Sequence, residues 1–144
     1  MSYLLEGGCQ CGEVRYQITA EPVRLTICHC TECKRQSGSA FGMSLTVKEA
    51  NFAVVKGRPK TWTRSSDSGN AVTGCFCGTC GTRLYHLIAI AGLLNVKPGT
   101  LDNFEGLAPR FEAWTSRKAP WLHIDGLEGS FERQPQPRRP EAKP

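Results

Sequence analysis

Eight cysteines in a chain of 144 residues fall into three tight clusters. They are Cys9-Gln10-Cys11, Cys28-His29-Cys30-Thr31-Glu32-Cys33 and Cys75-Phe76-Cys77-Gly78-Thr79-Cys80. The second and third share the spacing C-x-C-x-x-C. Such spacing constrains the fold strongly, because each cluster has to bring its sulfurs towards one point. Three chemistries use clusters of this kind. Disulfides are disfavoured in a reducing cytosol, and cysteines one residue apart on extended backbone point to opposite sides, so an internal C-x-C bridge is strained. Iron–sulfur clusters take four thiolates, but doublets followed at once by glycine, Cys11-Gly12 and Cys80-Gly81, look like zinc knuckles. Zinc suits soft thiolate ligands, and C-x-x-C places two sulfurs on one tetrahedral centre. The glycine after each ligand allows a tight turn, with backbone N–H groups expected to aim at the sulfurs. The expectation is Zn2+, two ions per chain.

Four sulfurs close a structural zinc site, whereas three leave a position for water or substrate. Cys9, Cys11, Cys77 and Cys80 form one four-sulfur set that would pin the start of the fold to its middle. Cys28, Cys30 and Cys33 then form a local set of three, and Cys75 is left over. In the alternative, Cys75 or a histidine closes the second set and both ions are purely structural. His29 fits that role poorly, since it projects between Cys28 and Cys30 on the other side. Spacing alone leaves the pairing of clusters open.

The rest of the chain reads as one mainly β domain. Period-2 patterning marks residues 13–18, and strands are expected at 23–28, 39–47, 52–56, 60–64, 72–76, 83–90, 93–96 and 111–115. One short helical turn is expected at 31–37, capped by Thr31 and stopped by Gly38. No longer segment carries a helical period. The predicted fold is therefore short antiparallel strands with cysteine clusters at strand ends, over a zinc-binding domain at 1–132.

The formal net charge is +5, but its placement matters more than its size. Residues 133–144 hold four basic residues (Arg133, Arg138, Arg139, Lys143) against Glu141, and four prolines. That composition cannot bury enough surface to fold, so a disordered, solvated, basic tail is expected. Without it the chain holds 14 basic and 12 acidic residues, and no basic stripe points to nucleic acid. No apolar run approaches the roughly 18 residues needed to span a bilayer. The N-terminus lacks the basic and apolar regions of a signal peptide. A cytoplasmic protein without membrane contact is expected.

Five ordered motifs resemble those of one family. Gly7-Gly8-Cys9-Gln10-Cys11-Gly12-Glu13-Val14-Arg15-Tyr16 is similar to G-x-C-x-C-G-x-V-x-Y. The segment Cys28 to Gly38 is similar to C-H-C-x-x-C-[RK]-x-x-[ST]-G, and Phe76 to Leu84 to F-C-x-x-C-G-[ST]-x-L. Segments 95–102 and 116–121 resemble its later landmarks. The family is the glutathione-dependent formaldehyde-activating enzymes, which includes the centromere protein V domain, and the likeness covers about residues 3–130. It implies a β-tent, two zinc sites and a carbon–sulfur lyase class of activity. It also implies the ligand split: structural zinc on Cys9, Cys11, Cys77 and Cys80, catalytic zinc on Cys28, Cys30 and Cys33. Cys75 departs from the pattern and reads as a small buried hydrophobe.

Three thiolates on zinc leave a centre of charge −1, a weak Lewis acid whose open position suits a soft donor. A substrate thiol bound there as thiolate could add to a carbonyl carbon, or leave it in reverse. The residues suggest a zinc-dependent lyase acting on a thiol adduct such as S-hydroxymethylglutathione, formed from glutathione and formaldehyde. The competing reading is a non-catalytic zinc module for a thiol, a protein or, less well supported, nucleic acid. No acid–base residue stands out. His29 could orient substrate, though a supporting or surface position is the plainer expectation. Lys34 and Arg35 could hold a carboxylate or simply form a solvated turn. His86 reads as a satisfied core residue, and Trp62, Trp114 and Trp121 as core or pocket wall.

Overall fold

Two sheets, one antiparallel and one mostly so, close on one another because their inward-facing residues alternate with polar ones. A computed structural model describes residues 2–66 and 69–135 of the chain. The smaller sheet contains β1 (Leu5–Gly8), β2 (Arg15–Ile18) and β5 (Phe52–Lys56), in the order β1-β2-β5. The larger sheet is built on β3 (Arg24–Cys28), β4 (Gly42–Lys48), β6 (Lys60–Ser65), β7 (Ala71–Phe76), β8 (Arg83–Leu87), β9 (Leu93–Val96), β10 (Phe111–Ala113) and β11 (Gly129–Ser130). Its order is β11-β10-β3-β4-β9-β8-β7-β6. The core forms where Tyr16 and Ile18 of β2 meet Leu25, Leu45, Val47, Leu84, Leu94 and Val96 of the larger sheet, all at most 3% exposed. The Phe52 ring bridges the two layers, 5.3 Å from Tyr16 and 4.6 Å from Tyr85. Gly7 lets β1 approach closely: a Cβ there would sit 2.5 Å from the Tyr16 hydroxyl and the Thr100 carbonyl.

The helix α1 (Thr31–Ser37) follows β3, as expected, and Gly38 ends it in the left-handed region at φ 61°. Its cap differs from the expectation. Cys30, not Thr31, occupies the N-cap, and its sulfur accepts the Cys33 N–H at 3.3 Å. Sulfur takes the place usually given to a hydroxyl, so one residue serves both helix and cluster.

Antiparallel pairing does not hold throughout. β10 lies parallel to β3, with Phe111 opposite Thr26, and β11 lies parallel to β10. Parallel pairing needs a long connection: residues 29–110, which carry α1 and β4 to β9, join β3 to β10, and residues 114–128 join β10 to β11. The short strands β1 and β11 were also not expected, since neither Leu5–Gly8 nor Gly129–Ser130 shows alternating hydrophobicity. Among the described residues no helix is long and apolar enough to cross a membrane. The tail expected at 133–144 lies outside the described residues from position 136 onward.

Candidate metal centres

The loop between β1 and β2 carries Cys9 and Cys11, and the loop between β7 and β8 carries Cys77 and Cys80. The core brings these loops together, and one ligand atom from each of the four residues lies within 4.8 Å of all the others. Cys9 and Cys11 sulfurs are 3.6 Å apart, and Cys11 and Cys77 sulfurs 3.7 Å. These gaps are far too long for a disulfide, whose bond is about 2.05 Å. They match the edge of a sulfur tetrahedron around zinc, about 3.8 Å for a Zn–S bond of about 2.3 Å. Gly12 (φ 80°) and Gly81 (φ 77°) make the two tight turns. Their N–H groups bond the Cys9 and Cys77 carbonyls, not the sulfurs. Other amides reach the sulfurs instead, among them Val14 N–H, 3.2 Å from the Cys9 sulfur, and Thr79 N–H, 3.4 Å from the Cys77 sulfur. The Thr82 hydroxyl and amide, with the Cys11 amide, hold the Cys80 thiol down to about 5. Cys11 is pushed up to about 12: a bond from the Glu13 amide favours its thiolate, but desolvation and its three neighbouring sulfurs outweigh it.

The second cluster is local. Cys28 ends β3, Cys30 caps α1 and Cys33 lies in its first turn, and their sulfurs also converge within 4.8 Å. Gly42, opposite Cys28 in β4, leaves room for the Cys33 side chain, which would be 3.0 Å from any Cβ there. The Cys28 and Cys33 thiols pull Cys30 strongly towards thiolate, while the same contacts from Cys30 and Cys33 push Cys28 up. Without a cation only one of the three sulfurs carries charge comfortably. A soft divalent ion removes that conflict, so the donor chemistry of both clusters fits zinc. The two C-x-C-x-x-C runs are not equivalent. Cys75 stays apart in β7, 1% exposed, bonded to Tyr85, its thiol pushed up by burial.

His29 is fully buried rather than at the surface. Its Nε2–H donates to Glu112 Oε2 at 2.7 Å, and its own amide bonds the Ala113 carbonyl at 3.0 Å. Lys118 Nζ at 3.1 Å and Ser130 Oγ at 2.8 Å donate to the same carboxylate. This network ties the backbone between Cys28 and Cys30 to β10. Glu112 gave no signal in the sequence, a carboxylate on the inward side of a three-residue strand. Burial pushes its pKa up, but the bonds from His29, Ser130 and Lys118 pull harder, and the net shift is downward. A depressed carboxyl stabilises the fold above the unfolded carboxylate range and loses that contribution as pH falls through the folded value. Glu112→Gln should therefore cost about 3 kcal/mol at neutral pH. The gap to wild type should narrow on acidification below the ordinary value of 4.5, as urea unfolding across pH would read.

Lys97, another residue the sequence did not single out, follows β9 and is mostly buried. Its Nζ donates to the Met43 carbonyl at 3.1 Å. Burial draws it down to about 8, against the raising influence of the Cys33, Cys28 and Cys30 sulfurs nearby. Lys34 is tied to the Arg117 carbonyl, while Arg35 is exposed on α1. Trp121 is 75% exposed and neither core nor the wall of a described pocket, Trp114 is half-buried, and Trp62, 56% exposed, lines a cleft beside α1. His86 is buried but not satisfied, for its Nε2 has no partner.

A family model described as glutathione-dependent formaldehyde-activating enzyme matches residues 4–117, a span that contains all eight cysteines. The chain belongs to that family. The glutathione-dependent formaldehyde-activating enzymes are thus the group in which its two sulfur clusters, His29–Glu112 pair and Lys97 are to be understood. A Rhodobacter sphaeroides protein of known crystal structure has a similar fold, with a TM-score of 0.52 at 24% identity over 73% of this chain and 92% of that one.

Proposed function

We propose that the chain is a zinc-dependent enzyme of the carbon–sulfur lyase class, acting on a thiol adduct such as S-hydroxymethylglutathione. The observation that carries this reading is the convergence of Cys28, Cys30 and Cys33 with no fourth cysteine, histidine or carboxylate joining them among the described residues. Cys9, Cys11, Cys77 and Cys80 would hold a second, structural zinc. Zinc at the three-sulfur site would lower the pKa of a substrate thiol and hold its sulfur in place.

The chemistry is a reversible addition. In the forward direction the S–C bond forms, the carbonyl π pair moves to oxygen, and oxygen takes up the proton the thiol gives away. In the lyase direction the S–C bond breaks and the proton returns to sulfur. Lys97 suits this proton transfer best, being ionised in part near neutrality, mostly buried and within electrostatic reach of all three sulfurs. It would donate to the oxygen as negative charge develops there. His29 and Glu112 keep the Cys28–Cys30 segment in register.

Formaldehyde and glutathione also combine without a catalyst, so the test is a rate. Exchange between free formaldehyde and its glutathione adduct, followed by NMR magnetisation transfer, should speed up in proportion to enzyme added. Exchange at the uncatalysed rate with fully metal-loaded protein would refute the proposal.

A further inference from the structure

Beside the three-cysteine cluster, α1 and strands β6, β7 and β8 enclose an open cleft of about 300 Å³. That lies at the small end of small-molecule pockets, about 300–1,000 Å³. Its floor is one row across three strands: Trp62, Gly74 and His86 are direct register partners. Gly74 is glycine because Arg83 lies over it. A Cβ there would fall 1.4 Å from Arg83 Nη1, so the missing side chain is the space in which that guanidinium rests. Arg35 from α1 and Arg64 from β6 line the same cleft. The only acid among the lining residues is Glu32, 3.8 Å from Arg64 Nε. Among the described residues no carboxylate pairs with Arg35 or Arg83. Three guanidinium groups therefore face one carboxylate, a clear excess of positive charge.

Two further observations point to a missing ligand. His86 Nε2 and Gln36 Oε1 are buried in this cleft without hydrogen-bond partners, a costly condition unless something else supplies the bonds. His86 is 9% exposed. Burial, then Lys97, Arg83 and Arg64, hold its pKa down to about 3, so it is a neutral imidazole there. The cleft also adjoins the cysteines. Gln36 follows Cys33 by three residues on α1, and both side chains crowd the same face of Gly42. Lys97 lies within electrostatic reach of both Cys33 and Arg83.

We propose that this cleft binds the carboxylates of the thiol substrate, with Arg35 and Arg83 as specificity-determining residues that select anionic thiols over neutral ones. The inference rests on the catalytic reading above for its choice of ligand. Guanidinium groups match carboxylates in planar, paired hydrogen bonds, and the sulfur end would then point towards Cys28, Cys30 and Cys33.

The test uses the metal-loaded full chain and S-methylglutathione, whose methylated sulfur cannot become a thiolate and does not turn over. Isothermal titration should show the diacid binding at least about tenfold more tightly than its dimethyl ester, since one good charge-assisted contact is worth about a factor of ten. Arg83→Gln and Arg35→Gln should each weaken the diacid by a similar factor and leave the ester unchanged. Arg35 is exposed, so its variant folds even if the Arg83 variant does not. Equal binding of diacid and ester, no binding of either, or unaltered affinity in Arg35→Gln would overturn the proposal. Binding as expected by a protein that fails to accelerate adduct exchange would instead sink the catalytic reading and leave the anion cleft standing.

Discussion

Cys77→Ser is expected to unfold the protein, not merely weaken it. Cys77 is fully buried and its sulfur closes a set drawn from loops 66 residues apart in sequence. A metal held by all four sulfurs ties the start of the chain to its middle, across both sheets. Structural zinc contributes roughly 10–16 kcal/mol of apparent binding energy in small zinc modules, while whole domains are stable by only about 5–15 kcal/mol. Losing even half of that contribution removes the margin. Serine also leaves a hydroxyl in a thiolate's place, with the Thr79 amide aimed at a weaker acceptor. Cys75→Ser is the control. It is as buried as Cys77 and only two residues away, but it belongs to neither cluster, so its cost should stay near about 1 kcal/mol, the loss of one weak contact to Tyr85. Circular-dichroism melts should show Cys75→Ser close to wild type, and Cys77→Ser close to wild type stripped by a strong chelator. Equal melting of the two variants would contradict the assignment of a structural metal.

Cys30→Ser should do the opposite, leaving the fold intact while abolishing turnover. The three-cysteine cluster spans residues 28–33 only, and pairing of β3 with β4 and β10 already holds that segment. Little fold energy depends on its metal. The helix cap survives too, since serine is a good N-cap and can accept the Cys33 N–H. The chemistry is less forgiving. Cys30 is the sulfur most strongly biased to thiolate in the cluster. Disturbing the partners of metal ligands alone costs about 10–100-fold, so replacing a ligand should cost at least about 100-fold in kcat/KM. Wild-type exchange rates in a folded Cys30→Ser protein would show that the chemistry lies elsewhere.

These two variants also mark how far the sequence could be read. Metal-ligand spacing is local, so Cys28, Cys30 and Cys33 stood out as a set at once. The union of Cys9 and Cys11 with Cys77 and Cys80 did not follow from spacing, and only family likeness implied it before the loops were seen to meet. β2 was legible because its alternation matches a half-buried sheet, and β5 and β9 because they are short apolar runs of strand length. β10 as a parallel neighbour of β3 was not, because that pairing joins residues some eighty positions apart and leaves no local mark. The same distance hid Glu112 as the partner of His29. The cleft was hidden for a related reason. Arg64 and Arg83 face one another only through the pairing of β6, β7 and β8, and the glycine that admits Arg83 looks like any strand glycine until its neighbour is known. Thr31 misled by its type: a threonine before a helix suggests a cap, yet the sulfur one residue earlier takes the place.

Zinc-edge X-ray absorption on the purified, metal-replete chain, together with a metal count, reads directly whether Cys28, Cys30 and Cys33 hold an open zinc site and Cys9, Cys11, Cys77 and Cys80 a closed one. Two zinc ions per chain are expected, one bound by four sulfurs and the other by three sulfurs and one oxygen or nitrogen atom. A single zinc, or two ions each bound by four protein atoms, would contradict the assignment of an open zinc site.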